Sequence, residues 1–134
     1  MKIITIILRT IAIGLFFFLA ACAVPEKKIT CTKEFVSISV NVEDTNGKPI
    51  KAQLSSRLSK INQEFVVKET ATKGTYIVLD DSFKDKLSVT GDELELIAVI
   101  GRTISRANFI VAVDKDRCHV KKVSGPDKLV FPAL

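Results

Sequence analysis

At 134 residues, with 47% hydrophobic and 26% charged positions, the chain has room for one domain and excludes a multidomain assembly. Twenty basic residues against 15 acidic ones give a net charge of +5, and this falls to +3 once Lys2 and Arg9 are set aside. So weak an excess, paired only at Lys27-Lys28 and Lys121-Lys122, argues against a nucleic-acid binder, which concentrates its cations on one face.

The first element is an apolar stretch, Ile11 to Leu19, behind the basic positions Lys2 and Arg9. A helix crossing a bilayer needs about 20 consecutive apolar residues, and Arg9 cuts this stretch short of that. The pattern therefore predicts a cleaved signal helix and not a membrane span. It closes on Leu19-Ala20-Ala21-Cys22, which resembles the lipobox of bacterial lipoproteins. The resemblance implies export, lipid on the Cys22 thiol, and cleavage that makes Cys22 the first mature residue. It also implies attachment to the cell envelope through that lipid, and Ala23 after the cysteine points to the outer membrane in a Gram-negative cell. The predicted organisation is a signal peptide over 1–21, a tether over 22–32 and a β-domain over 33–134.

With Cys22 assigned to lipid, Cys31 and Cys118 remain as the other two thiols of an exported chain. In an oxidising compartment such a pair reads as a disulfide, against the alternatives of buried free thiols or metal ligands. A bridge closing nearly the whole domain is worth at most about 4 to 5 kcal/mol in the chain-entropy model.

From Val36 the sequence alternates with period two. Val36, Ile38, Val40 and Val42 form an apolar face opposite Ser37, Ser39 and Asn41, which predicts a half-buried strand. Asp44-Thr45-Asn46-Gly47-Lys48-Pro49 ends it with a tight turn, and Ile50, Ala52 and Leu54 resume the alternation. Further strands are predicted around 64–68, 75–79, 94–100, 108–113 and 129–131, with a single helical turn over 81–87. Ile97 to Ile100 and Phe109 to Val113 are apolar on both faces and read as central strands. Gly74, Gly91, Gly101 and Gly125-Pro126 punctuate the series. About seven short strands with turn signals every 8 to 12 residues predict an all-β domain, a single small β-sandwich.

The run Val40-Asn41-Val42-Glu43-Asp44 followed by Gly47-Lys48-Pro49-Ile50-Lys51-Ala52, and the later Gly74-Thr75-Tyr76-Ile77-Val78, resemble the carboxypeptidase regulatory-like, or transthyretin-like, sandwich. Members of that family end an opening strand in a D-x-x-G-x-P turn and start a core strand with G-x-Y/F-x-V. The likeness covers about residues 33 to 113 and departs after Pro49, where the family commonly has another Gly. The closing segment from Asp116 to Pro126 is similar to the end of small envelope lipoproteins built on this sandwich. These likenesses imply a fold and a location, not a reaction.

The chemistry-bearing residues point the same way. His119 is the sole histidine, and nothing in the sequence marks an activated Ser beside it; Cys118 next door points to the opposite face of a strand. Cys31, Cys118 and His119, or Asp114 and Asp116, match no recognised metal-ligand spacing. Asp80-Asp81 and Asp92-Glu93 read as turn residues. The expectation is a non-catalytic domain with no cofactor and no metal, a structural or protein-binding accessory whose partner is an envelope protein. Such a role calls for an exposed apolar patch or an open strand edge. A glycan- or small-ligand-binding module is the alternative, weakened by the absence of Trp and the single Tyr, and an inhibitor of an exported hydrolase is the other.

Overall fold

The computed structural model describes residues 29–133. The leader over 1–21, the lipidation expected at Cys22 and the tether as far as residue 28 lie outside the described residues. Cys31–Leu134 forms one compact unit.

The unit is all-β. Its strands are β1 (Ser37–Asp44), β2 (Gln53–Leu58), β3 (Gln63–Glu69), β4 (Thr75–Asp80), β5 (Asp92–Ile100), β6 (Thr103–Val113), β7 (Val120–Ser124) and β8 (Lys128–Phe131). Two short 3-10 segments, Ser59–Ile61 and Asp81–Lys86, complete it, the second at the predicted helical turn. Eight strands stand where about seven are expected, and the addition is β7. Only Val120 of that strand is buried, so Lys121-Lys122 reads as solvated surface, yet its backbone pairs with β6 from Ile110↔Ser124 to Val113↔Val120.

The strands form one sheet in the order β7-β6-β5-β2-β3-β4-β1-β8. All neighbours are antiparallel except β1 and β8, which run parallel. β7 and β8 stand at opposite ends of this order, yet Gly125-Pro126-Asp127 alone separates them in the chain. Four residue steps span at most about 15 Å. The sheet therefore curls until its ends approach, and Asn41 N–H donates to the Asp127 carbonyl at 3.0 Å. β3 is the strand that turns the corner: its first part, as far as Val67, pairs with β2, and Lys68 and Glu69 pair with β4.

Period-two alternation supplies the core. Ile38, Val40 and Val42 of β1, Leu54 and Leu58 of β2, Leu94, Leu96 and Ala98 of β5, and Phe109, Val111 and Val113 of β6 all point inward. The turn after β1 is built by Asp44, whose Oδ1 accepts Asn46 N–H at 2.8 Å and Lys48 N–H at 2.9 Å, with Gly47 at φ 76°. It does not start a hairpin. β4 and β8 occupy both sides of β1, so the returning chain makes only the Glu43↔Pro49 bridge before crossing over to begin β2 at Gln53, three residues beyond Ile50.

Candidate functional site

β5 and β6 lie inside the sheet order, as their apolar runs predict, but the outer side of β5 is not covered: Ile97 and Val99 are half-buried. The register of β3, β2, β5 and β6 sets out their outer face in rows. Gln53, Val99 and Ile104 form one row; Val66, Ser55, Ile97 and Arg106 the next; Glu64, Arg57, Glu95 and Asn108 a third. Val66 is 79% exposed and Ile104 60%, and with Ile97 and Val99 they make an apolar diagonal across a regular sheet face. Large apolar side chains scattered singly need no explanation, but Ile97, Val99 and Ile104 adjoin one another, with Val66 one strand away across Ser55.

A groove of about 550 Å³ runs along this diagonal, lined among others by Ala52, Gln53, Ser55, Val66, Ile97 and Val99. It exists because β3 leaves β2 for β4, opening a wedge beyond the Leu54↔Val67 pair. Tyr76 closes the floor of the wedge. Its hydroxyl accepts Ala52 N–H at 2.9 Å and donates to the Ala52 carbonyl at 3.2 Å, which satisfies both backbone groups that the parting strands would leave open. On the polar side of the face, Glu95 accepts from Arg57 at 2.7 Å and Arg106 at 2.8 Å. The Arg106 hydrogen bond above all, against desolvation and with help from Arg57, holds the Glu95 carboxyl below the usual range.

The sheet ends are less open to a partner. β7 and β8 are short and carry Lys121, Lys122 and Lys128, a common way of blunting an edge. Lys122 is paired with Asp127, and Lys128 with Glu43 at 2.8 Å.

A second cluster surrounds the cysteines. Cys31 and Cys118 meet at disulfide distance, with Cα atoms 5.3 Å apart, which is normal spacing for a bridge. Beside them, His119 Nδ1 lies 2.8 Å from Asp81 Oδ2, and His119 Nε2 lies 2.8 Å from Thr32 Oγ1. Asp81 is buried at the start of the second 3-10 segment and also accepts Val36 N–H and Val120 N–H, each at 2.8 Å. Burial is the largest single effect on its pKa and pushes it up. The His119, Val36 and Val120 hydrogen bonds, with the charge of His119, outweigh burial and leave Asp81 below its ordinary value. The hydroxyl–imidazole–carboxylate series has the connectivity of a nucleophile, base and orienting acid. Its members also fasten the segment before β1, the 3-10 segment and β7 to one another.

Three further carboxylates organise turns. Asp114 accepts Cys118 N–H at 2.7 Å and His119 N–H at 3.3 Å, and Asp92 accepts Ser88 N–H. Asp80 caps the 3-10 segment through Ser82 N–H, as a turn residue should. Asp81 departs from that expectation, being a buried hub and not a solvated turn residue, and so does Glu93, which lies within β5 opposite Ile110. Among the described residues no group of three His, Cys, Asp or Glu side chains converges to hold a metal ion.

Comparison with protein-family models, curated proteins and solved structures finds no match for this chain. The likenesses to the lipobox and to the carboxypeptidase regulatory-like sandwich accordingly rest on the quoted motifs alone.

The sequence reading missed two features of these sites. The outer-face diagonal was open to discovery, because Val66 and Ile104 are apolar residues on the polar phase of their strands. Asp81 carried no such signal, since its partners lie 38 or more residues away.

Proposed function

We propose that the chain is a lipid-anchored cell-envelope protein, held through Cys22, whose domain is a small sandwich bent at β3 and acts as a non-catalytic, protein-binding accessory. The observation that carries this reading is the set of adjoining Ile97, Val99 and Ile104, with Val66 across Ser55 from Ile97, beside a groove on one sheet face. Buried apolar area with a polar rim is the common anatomy of a protein interface, and Glu95 with its two arginines supplies such a rim here. A glycan platform has less support, because Tyr76 is buried with its hydroxyl engaged on Ala52.

The test is cross-linking of the lipidated protein in its native membrane, with mass spectrometry of what co-purifies and Cys22→Ser as the control for anchoring. A reproducible protein partner lost on Val66→Asp supports the reading. Recovery of cell-wall fragments alone overturns it.

A hydrolytic role is the second reading, favoured by the Thr32–His119–Asp81 series. Hydrolysis of a simple ester or peptide that disappears in both His119→Ala and Thr32→Val would establish it. Activity that is absent in the native chain, or that survives either substitution, would eliminate it.

A further inference from the structure

The groove beside β3 carries an open pair of backbone groups. Thr70 N–H donates to the Thr75 carbonyl at 2.8 Å, next to the Glu69↔Tyr76 pair. Antiparallel alternation then turns the Glu69 N–H and carbonyl away from β4 and into the wedge where β2 would stand. In the register of β2 and β3, Ala52 is the residue that would meet them, but the Tyr76 hydroxyl takes both backbone groups of Ala52. Glu69 lines the groove and is half-buried, a place where a backbone donor and acceptor call for a partner.

Cations rim the same groove. Lys51 lines it, and Lys68 is exposed on β3 two residues beyond Val66. A second hollow, lined by Lys51, Gln53, Val99 and Gly101, carries it on to the β5–β6 hairpin tip, where Arg102 is exposed. None of the three cations has a carboxylate within 4 Å among the described residues. The acidic side chains at this end of the sheet are engaged elsewhere: Glu43 with Lys128, Asp44 within its own turn, and Glu69 Oε1 by Gly74 N–H at 2.7 Å.

We propose that the groove receives an extended acidic segment of a partner protein, bonded through its main chain to Glu69, with apolar side chains on Val66 and Val99 and carboxylates among Lys51, Lys68 and Arg102. The inference rests on the reading that this face binds protein. Three features of the groove each fit one property of such a segment. The open N–H and carbonyl match a strand-like main chain, the aliphatic walls match alternate side chains, and the unpaired cations match its charge. A bilayer surface supplies charge and apolar contact but no backbone pair, and it is too flat to enter the wedge. At about 3.4 Å per residue, roughly four to six residues fill the groove.

The experiment pans a random hexapeptide display library on the full-length protein in detergent micelles and measures the selected peptides by fluorescence anisotropy. The expected sequences set Asp or Glu beside Val, Ile or Leu. The double variant Lys51→Glu with Lys68→Glu weakens their binding at least tenfold, and an N-methyl scan of the peptide finds a backbone amide whose loss does the same on the native protein. Unfolding midpoints close to the native value verify that the variant is folded. Selected peptides that are basic, or that are indifferent to the charge reversal or to the N-methyl scan, overturn the proposal, as does a library that yields no binder. The membrane cross-linking described above then separates the two readings. A partner lost on Val66→Asp keeps the outer face as a protein-binding site without this occupant, and recovery of cell-wall fragments alone removes that reading as well.

Discussion

The Nδ1–H of His119 donates to the buried Asp81 carboxylate at 2.8 Å, and Asp81 holds the backbone N–H groups of Val36 and Val120 at the same distance. One carboxylate thereby gathers three segments that are far apart in sequence. Because the ionised form accepts all three bonds, its pKa is lowered from 3.8, and a lowered folded-state pKa contributes stability that is fully present above the unfolded value. That contribution fades as pH falls below 3.8 and through the depressed folded value. Asp81→Ala should cost about 1–3 kcal/mol near neutral pH by stranding the buried Val120 N–H and the half-buried Val36 N–H. Urea unfolding from pH 7 to pH 2 should show the gap between native and variant narrowing at the acid end. A gap of constant size would show that the carboxylate's charge is not what stabilises this junction.

Reduction of the Cys31–Cys118 bridge releases a loop closed over a separation of 87 residues. The expected loss is about 2–5 kcal/mol. Denaturant unfolding with and without a reductant measures it, with Cys31→Ser in the reduced buffer as the reference. Curves that coincide would mean the bridge constrains neither state.

Gly74 and Gly47 both sit at positive φ, 77° and 76°, but only one is crowded. A Cβ on Gly74 would meet Pro49 Cβ at 2.8 Å and the Val42 carbonyl oxygen at 2.9 Å, whereas one on Gly47 would meet nothing within 4 Å. Gly47→Ala should cost about 1 kcal/mol from backbone strain, and Gly74→Ala clearly more, because the β1–β4 junction must part to admit it. Thermal unfolding of the two variants side by side ranks them. Equal losses would place the whole cost in the backbone.

Ser56 is fully buried between its neighbours Phe65 and Leu96, and its Oγ has no hydrogen-bond partner. Removing an unsatisfied hydroxyl from a core relieves a penalty of about 1–3 kcal/mol, less a smaller packing loss. Ser56→Ala should therefore be neutral or stabilising, measured as the urea midpoint. A loss above about 1 kcal/mol would show that the hydroxyl is engaged in solution.

Local pattern was the readable part of this chain. The alternation of Ile38, Val40 and Val42 and the Asp44–Pro49 turn depend on neighbours in sequence, and both stand where expected. The cysteine pairing followed from having two thiols left to match. Long-range choices left no such trace. β3 changes partner between Val67 and Lys68 because the sheet must curl, and no residue there announces it. Strand β7 pairs through its backbone with β6 and buries only Val120, so composition hid it. The apolar run of β5 predicts its central place but not its bare outer face, since hydropathy alone cannot tell a covered side from an open one.

The bridge to Cys118 also decides where the folded body lets go of its N-terminal strap. Cys31 to Phe35 is exposed, and Phe35 is 70% exposed, so besides the bridge the Thr32–His119 hydrogen bond is what holds this segment ahead of Val36 among the described residues. Were the chain moored at Cys22 as proposed, nine residue steps to Cys31 would permit a reach of about 30 Å, and fourteen steps to Val36 about 50 Å. On that proposal the state of one bond would act as a mooring length, setting how far from its anchorage the domain can reach.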